Sequence, residues 1–337
     1  MHENGETRWW RRTGTARSGF RYLGLNGRRL TAEATLARIR SLAIPPAWSD
    51  VHISPDPDRK VQAWGQDQAG RRQYRYSAGH EAARDSRKWK RVLRVANLMP
   101  TLRERTNADL RGDRLDRERV LATVVRLMAR AYFRAGSERY AVENRTFGIC
   151  TLEKKHVIVH ENSLEFLYKG KRSLDQRQVV ADTPLVEIIE ELRAQPGPRL
   201  FKYRVGRRYR PVTAAAVNRY LEEILGERCT SKDLRTFGGT VRAATILADL
   251  GPARTKAEAK RNVLMVCTLV ATDLGNTPAI CRRAYIHPAV LAEYEVSGRT
   301  VETVAKRRRT APAVRTREKV GHYPEEAALV RFLERYG

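Results

Sequence analysis

In the N-terminal part of the chain, short stretches alternate between apolar and polar positions with a period near two. Turn residues separate them, which predicts strands. Phe20 to Leu25 reads as one strand, closed by the hairpin-type turn Asn26-Gly27. Val51-His52-Ile53-Ser54, Val61-Gln62-Ala63-Trp64-Gly65 and Gln73-Tyr74-Arg75-Tyr76 read as three more. Between the first and second, Thr31 is placed to cap a helix over Ala32 to Leu42, with apolar positions at Leu36, Ile39 and Leu42. Ile44-Pro45-Pro46-Ala47-Trp48 breaks that helix. Residues 1–18 are polar and basic, with Trp9-Trp10 as the only apolar anchor, and are expected to form a partly ordered arm.

From His80 the period shifts to that of a helix. Lys88-Trp89-Lys90-Arg91-Val92-Leu93 opens a run through Leu102. A second helix is predicted from about Arg117 to Ala135, with Val120, Leu121, Val124, Leu127 and Met128 on one face. The charged stretch Arg103 to Arg119 is expected to be exposed at its start. Residues 145–180 return to strands: Phe147 to Leu152, Val157-Ile158-Val159 and Leu164 to Tyr168, with turns at Glu161-Asn162 and Lys169-Gly170. Helices follow over Pro184 to Ala194, Thr213 to Leu225, Lys232 to Leu250, Thr255 to Leu274 and His287 to Ser297. Gly275 to Ala284, holding Gly and Pro, is expected to be a loop. Lys306-Arg307-Arg308-Arg309 reads as a solvated linker, and a last helix is expected over about Glu325 to Tyr336. The expectation is an α+β protein of two domains, with the boundary near 78–88. Residues 1–82 would form a small, mainly antiparallel β-rich domain. Residues 83–337 would form a larger, mainly helical domain containing a three-stranded meander, with 300–337 as basic linker and C-terminal helix.

Charge narrows the function. The chain has 337 residues, with 65 Lys+Arg against 38 Asp+Glu and a formal net charge of +27. Arginines run from Arg8 to Arg335 through segments that also read as folded, so the excess is not confined to a tail. A structured, strongly basic protein points to a polyanion, and nucleic acid is the default partner. No segment approaches the apolar length of a membrane span, and no signal-peptide core follows Met1. No membrane partner is expected, and the expected location is the cytoplasm, in association with the nucleoid. Cys150, Cys229, Cys267 and Cys281 lie far apart without CxxC spacing, as reduced, mostly buried thiols would. The histidines are few and unclustered, and no metal is expected.

The candidate chemistry centres on Pro278-Ala279-Ile280-Cys281-Arg282-Arg283-Ala284-Tyr285-Ile286-His287-Pro288, where one phenol stands among cations. A phenol, with an ordinary pKa of about 10, is a poor nucleophile near neutrality. It serves when fixed cations stabilise the charge building on the group it attacks. Four stretches could supply donors: Tyr132-Phe133-Arg134-Ala135-Gly136, Gly170-Lys171, Lys232-Asp233-Leu234-Arg235-Thr236, and Asn276 beside Gly275. A guanidinium grips two phosphate oxygens as a fork, and an ammonium on a hairpin can protonate a leaving alkoxide. Singly, each arginine reads first as a solvated or ion-paired surface group, Tyr285 as a packed tyrosine and Asn276 as a helix stop.

Together, in order and spacing, these stretches and Gly70-Arg71-Arg72-Gln73-Tyr74-Arg75-Tyr76 resemble the type IB DNA topoisomerases, most of all their compact poxvirus-like and bacterial branch. The resemblance covers roughly residues 20–300. It implies that Tyr285 attacks the scissile phosphodiester, forming a 3′-phosphotyrosine and releasing a 5′-hydroxyl strand. It implies that Arg134 and Arg235 clamp the non-bridging oxygens, that Lys171 is the general acid, and that Lys232 assists it. Asn276 stands where many relatives carry histidine, so it would contribute a hydrogen bond without charge. Arg172 follows Lys171 where relatives often carry an acidic residue. Gln73, Tyr74 and Tyr76 match the strand that contacts DNA in the major groove; an ordinary strand with an aromatic ladder is the plainer alternative. A resealing reaction that keeps the bond energy in the phosphotyrosine implies no ATP and no cofactor, and no Walker-type loop is present. The resemblance also implies a monomer that clamps duplex DNA.

Two other readings remain at this level. A tyrosine recombinase would share the chemistry, but typically carries His-x-x-Arg where this chain has Lys232-Asp233-Leu234-Arg235. A non-catalytic, architectural DNA-binding protein would satisfy charge and size alone.

Overall fold

In the computed structural model the described residues are 9–301 and 320–336, and the chain divides into two units, Met1–Lys88 and Trp89–Gly337. The first unit is built on a five-stranded antiparallel sheet. Its strands are β1 (Trp10–Thr15), β2 (Gly19–Leu23), β3 (Ser49–Ile53), β4 (Val61–Gln66) and β5 (Arg72–Tyr76), ordered β2-β1-β3-β4-β5. Helix α1 (Glu33–Ser41) covers one face through Ile39, which packs with Val51, Ile53 and Ala63.

Two local expectations fail here. Residues 10–15, expected within an arm, form a full strand of the sheet. The apolar signal is weak because Arg12 takes an inward position: its guanidinium donates to Pro45 O and Trp48 O and lies 4.1 Å from the Phe20 ring centre. Thr31 does not cap α1, because Ala32 occupies the N-cap and makes no side-chain bond.

Helix α2 (Ala78–Asp109) is far longer than expected and runs through Pro100. Beyond it, Arg103 is buried, not exposed, because its guanidinium donates to Glu326 at 2.8 Å and lies over the Tyr323 ring. Helix α3 (Arg117–Ala131) is the core of the second unit, buried almost all round from Arg119 to Met128. Of the two buried cations in that run, Arg119 and Arg126, the deeper is Arg126, which donates through Nε to Asp182 Oδ2 at 2.7 Å. A short helix α4 (Glu138–Asn144) and two 3₁₀ turns, Ile149–Thr151 and Lys154–His156, lead into a three-stranded antiparallel meander. Its strands are β6 (Val157–His160), β7 (Ser163–Lys169) and β8 (Asp175–Ala181). The meander is therefore shifted from the expected one: Phe147 to Leu152 is a turn, and the third strand is β8. β8 escaped notice because its inward positions, Gln176 and Gln178, are polar and hide the alternation.

Helix α5 (Thr183–Ala194) follows, then a hairpin of β9 (Lys202–Val205) and β10 (Arg208–Pro211) whose arginine-rich strands gave no apolar signal. Helices α6 (Ala214–Leu225), α7 (Ser231–Leu250), α8 (Lys256–Leu274), α9 (Pro278–Ala284) and α10 (Pro288–Ser297) complete the helical layer. The expected loop over Gly275 to Ala284 is thus mostly helix α9, started by Thr277, which accepts from Ile280 N, and by Pro278. The Lys306–Arg309 run lies outside the described residues. The last helix, α11 (Pro324–Tyr336), packs on α7 and is tied to α2 by the Arg103–Glu326 pair. The fold class is α+β, a five-stranded antiparallel sheet followed by a mainly helical unit that contains a three-stranded sheet.

Candidate active site

Arg134 is placed by the way α3 ends. Tyr132 turns the chain with left-handed dihedrals of φ 55 and ψ 32, and Phe133 plugs the core against Phe166 and Tyr168. Arg134-Ala135-Gly136 then runs extended along the 3₁₀ turn: Ile149 N donates to Arg134 O at 2.8 Å and Cys150 N to Ala135 O at 2.9 Å. The strands of backbone pass so close that a Cβ on Gly136 would come within 2.8 Å of Gly148 N. The glycine of the Arg-Ala-Gly stretch is therefore steric, and its φ of +85 adds a second reason. Held this way, Arg134 Nη2 donates to Gly275 O (2.9 Å) and to Asn276 Oδ1 (2.7 Å).

Arg235 comes from the first turns of α7, whose start is fixed by a Thr230–Asp233 capping box. It is 4% exposed, donates through Nη2 to Leu274 O at 2.9 Å, and has no partner at Nε. Its pKa falls from 12.5 to about 10, first through burial and next through the neighbouring Arg134 charge; Tyr285 and Tyr168 act the other way. No carboxylate is among these influences. Two guanidiniums held together without an acid between them form an anion site.

Asn276 follows Gly275, the left-handed C-cap of α8 with φ 57. Its Oδ1 is taken by Arg134, while its Nδ2 is buried without a hydrogen-bond partner. It is more than a helix stop: the amide faces the arginines with one donor to spare.

Lys171 stands on the turn between β7 and β8, where Gly170 N bonds to Leu174 O at 2.8 Å and Arg172 and Ser173 both take positive φ. It lines a narrow cleft with Arg134, Arg235, Tyr168, Gln176 and Gln178. Lys171 itself is exposed. The Tyr168 hydroxyl, buried beside Arg134 and Arg235, is pushed up to about 12 by that burial. Tyr168, Gln176 and Gln178 were missed in the sequence. The available signal was a pair of glutamines at alternate positions just after a Gly-Lys turn.

Tyr285 is the C-cap of α9. Its ring centre lies 5.5 Å from Arg235 Cζ. Its backbone is seated on α7, where a Cβ on Gly239 would come within 2.8 Å of Tyr285 O. Thr240 Oγ1 lies 3.3 Å from that same oxygen and accepts from His287 N at 3.1 Å. His287 has a structural task, accepting from Ala289 N through Nδ1 at the start of α10. Arg134, Arg235 and Lys171 thus line one cleft, with Asn276 bonded to Arg134 and the Tyr285 ring against Arg235. Lys232, exposed one helical turn before Arg235, does not line it.

In the first unit, β5 divides its candidates between faces. Tyr74 and Tyr76 share the face away from α1 with Trp64, which opposes Tyr74 in the ladder, and with His52. The two tyrosine rings are 6.1 Å apart, and Tyr74 is 44% exposed. Gln73 points to the other side, its Nε2 donating to Asp67 at 2.9 Å. The Arg71 side chain, then the backbone N–H groups of Arg71 and Ala69, and last Gln73 hold the Asp67 carboxyl down to about 2. Among the described residues no group of His, Cys, Asp or Glu is gathered as metal ligands.

Comparison with known proteins gives matches in two regions of the chain. Residues 77–311 match the family described as eukaryotic DNA topoisomerase I, catalytic core, and residues 19–67 match the bacterial DNA topoisomerase IB N-terminal domain. The DNA topoisomerase 1B of Acanthamoeba polyphaga mimivirus is 29% identical over 268 residues, 77% of this chain and 80% of the viral one. The DNA topoisomerase 1B of vaccinia virus (strain Copenhagen) is 25% identical over 236 residues, 67% of this chain and 70% of its own. The match to the catalytic core alone spans most of the sequence, and the chain belongs to the type IB DNA topoisomerases.

Proposed function

We propose that this topoisomerase relaxes supercoiled duplex DNA by cutting and resealing one strand through Tyr285, without ATP or metal. In the cleavage step the Tyr285 oxygen bonds to the scissile phosphorus and the phenolic proton passes to solvent. The P–O5′ bond breaks as Lys171 gives its proton to O5′. A 3′-phosphotyrosine and a free 5′-hydroxyl result, with no net oxidation and no bond energy lost. Rotation of the downstream duplex releases supercoils, and the same steps in reverse reseal the strand.

The observation that carries this reading is a pair of buried donors with no acceptor, Arg235 Nε and Asn276 Nδ2, beside two guanidiniums with no acid between them. Buried donors are rarely left unpaired, so the site is preorganised for an anion. Arg134 and Arg235 take the non-bridging oxygens. Asn276, its carbonyl already engaged by Arg134, turns its N–H to a third contact, a hydrogen bond in place of an imidazolium. Lys232, at the surface one turn from Arg235, assists the proton transfer to the leaving oxygen. Tyr74 and Tyr76 supply aromatic contacts to the duplex and Gln73 a polar one, with the chain acting as a monomer that closes on DNA in the cytoplasm, at the nucleoid.

The test is plasmid relaxation in EDTA without ATP. The wild-type chain relaxes the plasmid and leaves a covalent protein–DNA adduct when denatured mid-reaction. Tyr285→Phe does neither. Relaxation by Tyr285→Phe, or a wild type that never traps an adduct, rules the mechanism out.

A further inference from the structure

Gln176 occupies a place that the mechanism above does not use. It enters the cleft from β8, opposite Tyr168 in the ladder, and its side chain lies between two glycines from distant parts of the chain. On one side is Gly170, which precedes Lys171: a Cβ there would come within 2.6 Å of Gln176 Cγ. On the other is Gly275, which precedes Asn276: a Cβ there would come within 2.9 Å of Gln176 Nε2, and closer still to Oε1. The Gln176 amide is held in place by donating to Asp175 O at 2.9 Å. Gly275 is itself fixed by Arg134, whose Nη2 bonds to its carbonyl.

We infer that Gln176 is a positioning residue that keys the Lys171 turn onto the Gly275–Asn276 turn. The turn carrying Lys171 has left-handed residues at Arg172 and Ser173, and Lys171 is exposed. The β-ladder fixes the turn's two ends, and the Gln176 side chain wedged against Gly275 fixes its approach to the arginines. The ammonium of Lys171 is thereby set at one height relative to the anion site. Both glycines have the same steric reason in this arrangement: each leaves room for one flank of the same side chain. This inference rests on the reading of Lys171 as the general acid.

The experiment measures single-turnover adduct formation on two DNA substrates, one with the ordinary 5′-oxygen at the scissile bond and one with a 5′-bridging sulfur. A thiolate leaves without needing a proton. Lys171→Ala is the reference: slow on the oxygen substrate and near wild type on sulfur. Gln176→Ala is expected to lose roughly 10²-fold on oxygen, the scale of a displaced catalytic group, and only a few-fold on sulfur. Gly170→Ala, which pushes the same side chain from the hairpin side, is expected to show the same selective loss and serves if Gln176→Ala does not fold. The double variant Lys171→Ala/Gln176→Ala should be no slower than Lys171→Ala alone. If Gln176→Ala is undisturbed, or equally slow on both substrates while Lys171→Ala is rescued by sulfur, the keying role is wrong and the acid role stands. If sulfur fails to rescue Lys171→Ala, the acid role and this inference fall together.

Discussion

Arg235→Met should abolish relaxation while leaving the protein as stable as before, or more so. Arg235 is buried, next to a second guanidinium, with one nitrogen unpaired. Its pKa moves from 12.5 to about 10, which corresponds to roughly 3 kcal/mol against the charged form in the fold. Because the folded value is the lower one, that cost is fully present at neutral pH and fades only as pH rises through the region above about 10. Methionine fills similar volume without charge and removes the unpaired Nε. Against this, the bond to Leu274 O is lost, a charged hydrogen bond contributing roughly 1.5–3 kcal/mol. The two effects are of similar size, so Tm should hold or rise by a few degrees.

Differential scanning calorimetry with and without orthovanadate checks both halves of the reasoning. The wild type should gain Tm as the phosphate-like anion fills the site, and Arg235→Met should not respond. Arg235→Lys restores one charge without the fork and should recover little activity. A fall in Tm of more than about 3 °C for Arg235→Met would refute the account, because Arg235 would then be a structural support and not a cation held ready for an anion.

Gly239→Ala should raise the helix propensity of α7 by about 1 kcal/mol, yet slow adduct formation by roughly 10- to 100-fold, because the new methyl meets Tyr285 O. Normal cleavage by that variant would show that the Tyr285 backbone is free to shift. Asp182→Asn should lower stability in urea by roughly 3–5 kcal/mol, since the fully buried carboxylate accepts from both Arg126 and Arg130; a loss under about 1 kcal/mol would mean the arginines find other acceptors. His156 accepts from Glu153 N through Nδ1, and burial lowers its pKa below 6.5. The unfolded chain therefore binds the proton first, and stability should fall as pH drops below about 6.5, an effect that His156→Gln should blunt in urea titrations at several pH values.

How much of this was legible in the sequence depends on what each segment asks of its residues. Where a segment only has to bury one face, as α5 and α6 do, apolar spacing gave the helix almost to its ends. Where a segment serves the site, the pattern is deliberately broken. β8 turns Gln176 and Gln178 inward, toward the arginines, and so hid as a strand. β1, in the first unit, was hidden for another reason: its Arg12 satisfies carbonyls at Pro45 and Trp48, work that apolar side chains cannot do. Arg103 looked like solvent-facing charge because its partner, Glu326, lies more than two hundred residues on. Pairing across such a distance leaves no local trace.

The candidate site residues show the same principle from the other side. Arg134, Lys171, Arg235, Asn276 and Tyr285 were legible only as an ordered set, because each alone is an ordinary surface or capping residue. What the set could not convey is why glycines accompany four of them. Gly136 lets the Arg134 segment pass Gly148; Gly170 and Gly275 make room for Gln176; Gly239 seats Tyr285. In each case the side chain proposed for the chemistry is close to, or pressed against, a residue with no side chain at all. An anion site built from mutually repelling cations gains nothing from its own contacts, so its geometry has to be imposed by backbone packed too tightly to relax. The glycines are the sequence record of that constraint, and they explain how two guanidiniums and a phenol remain together before any phosphate arrives to hold them.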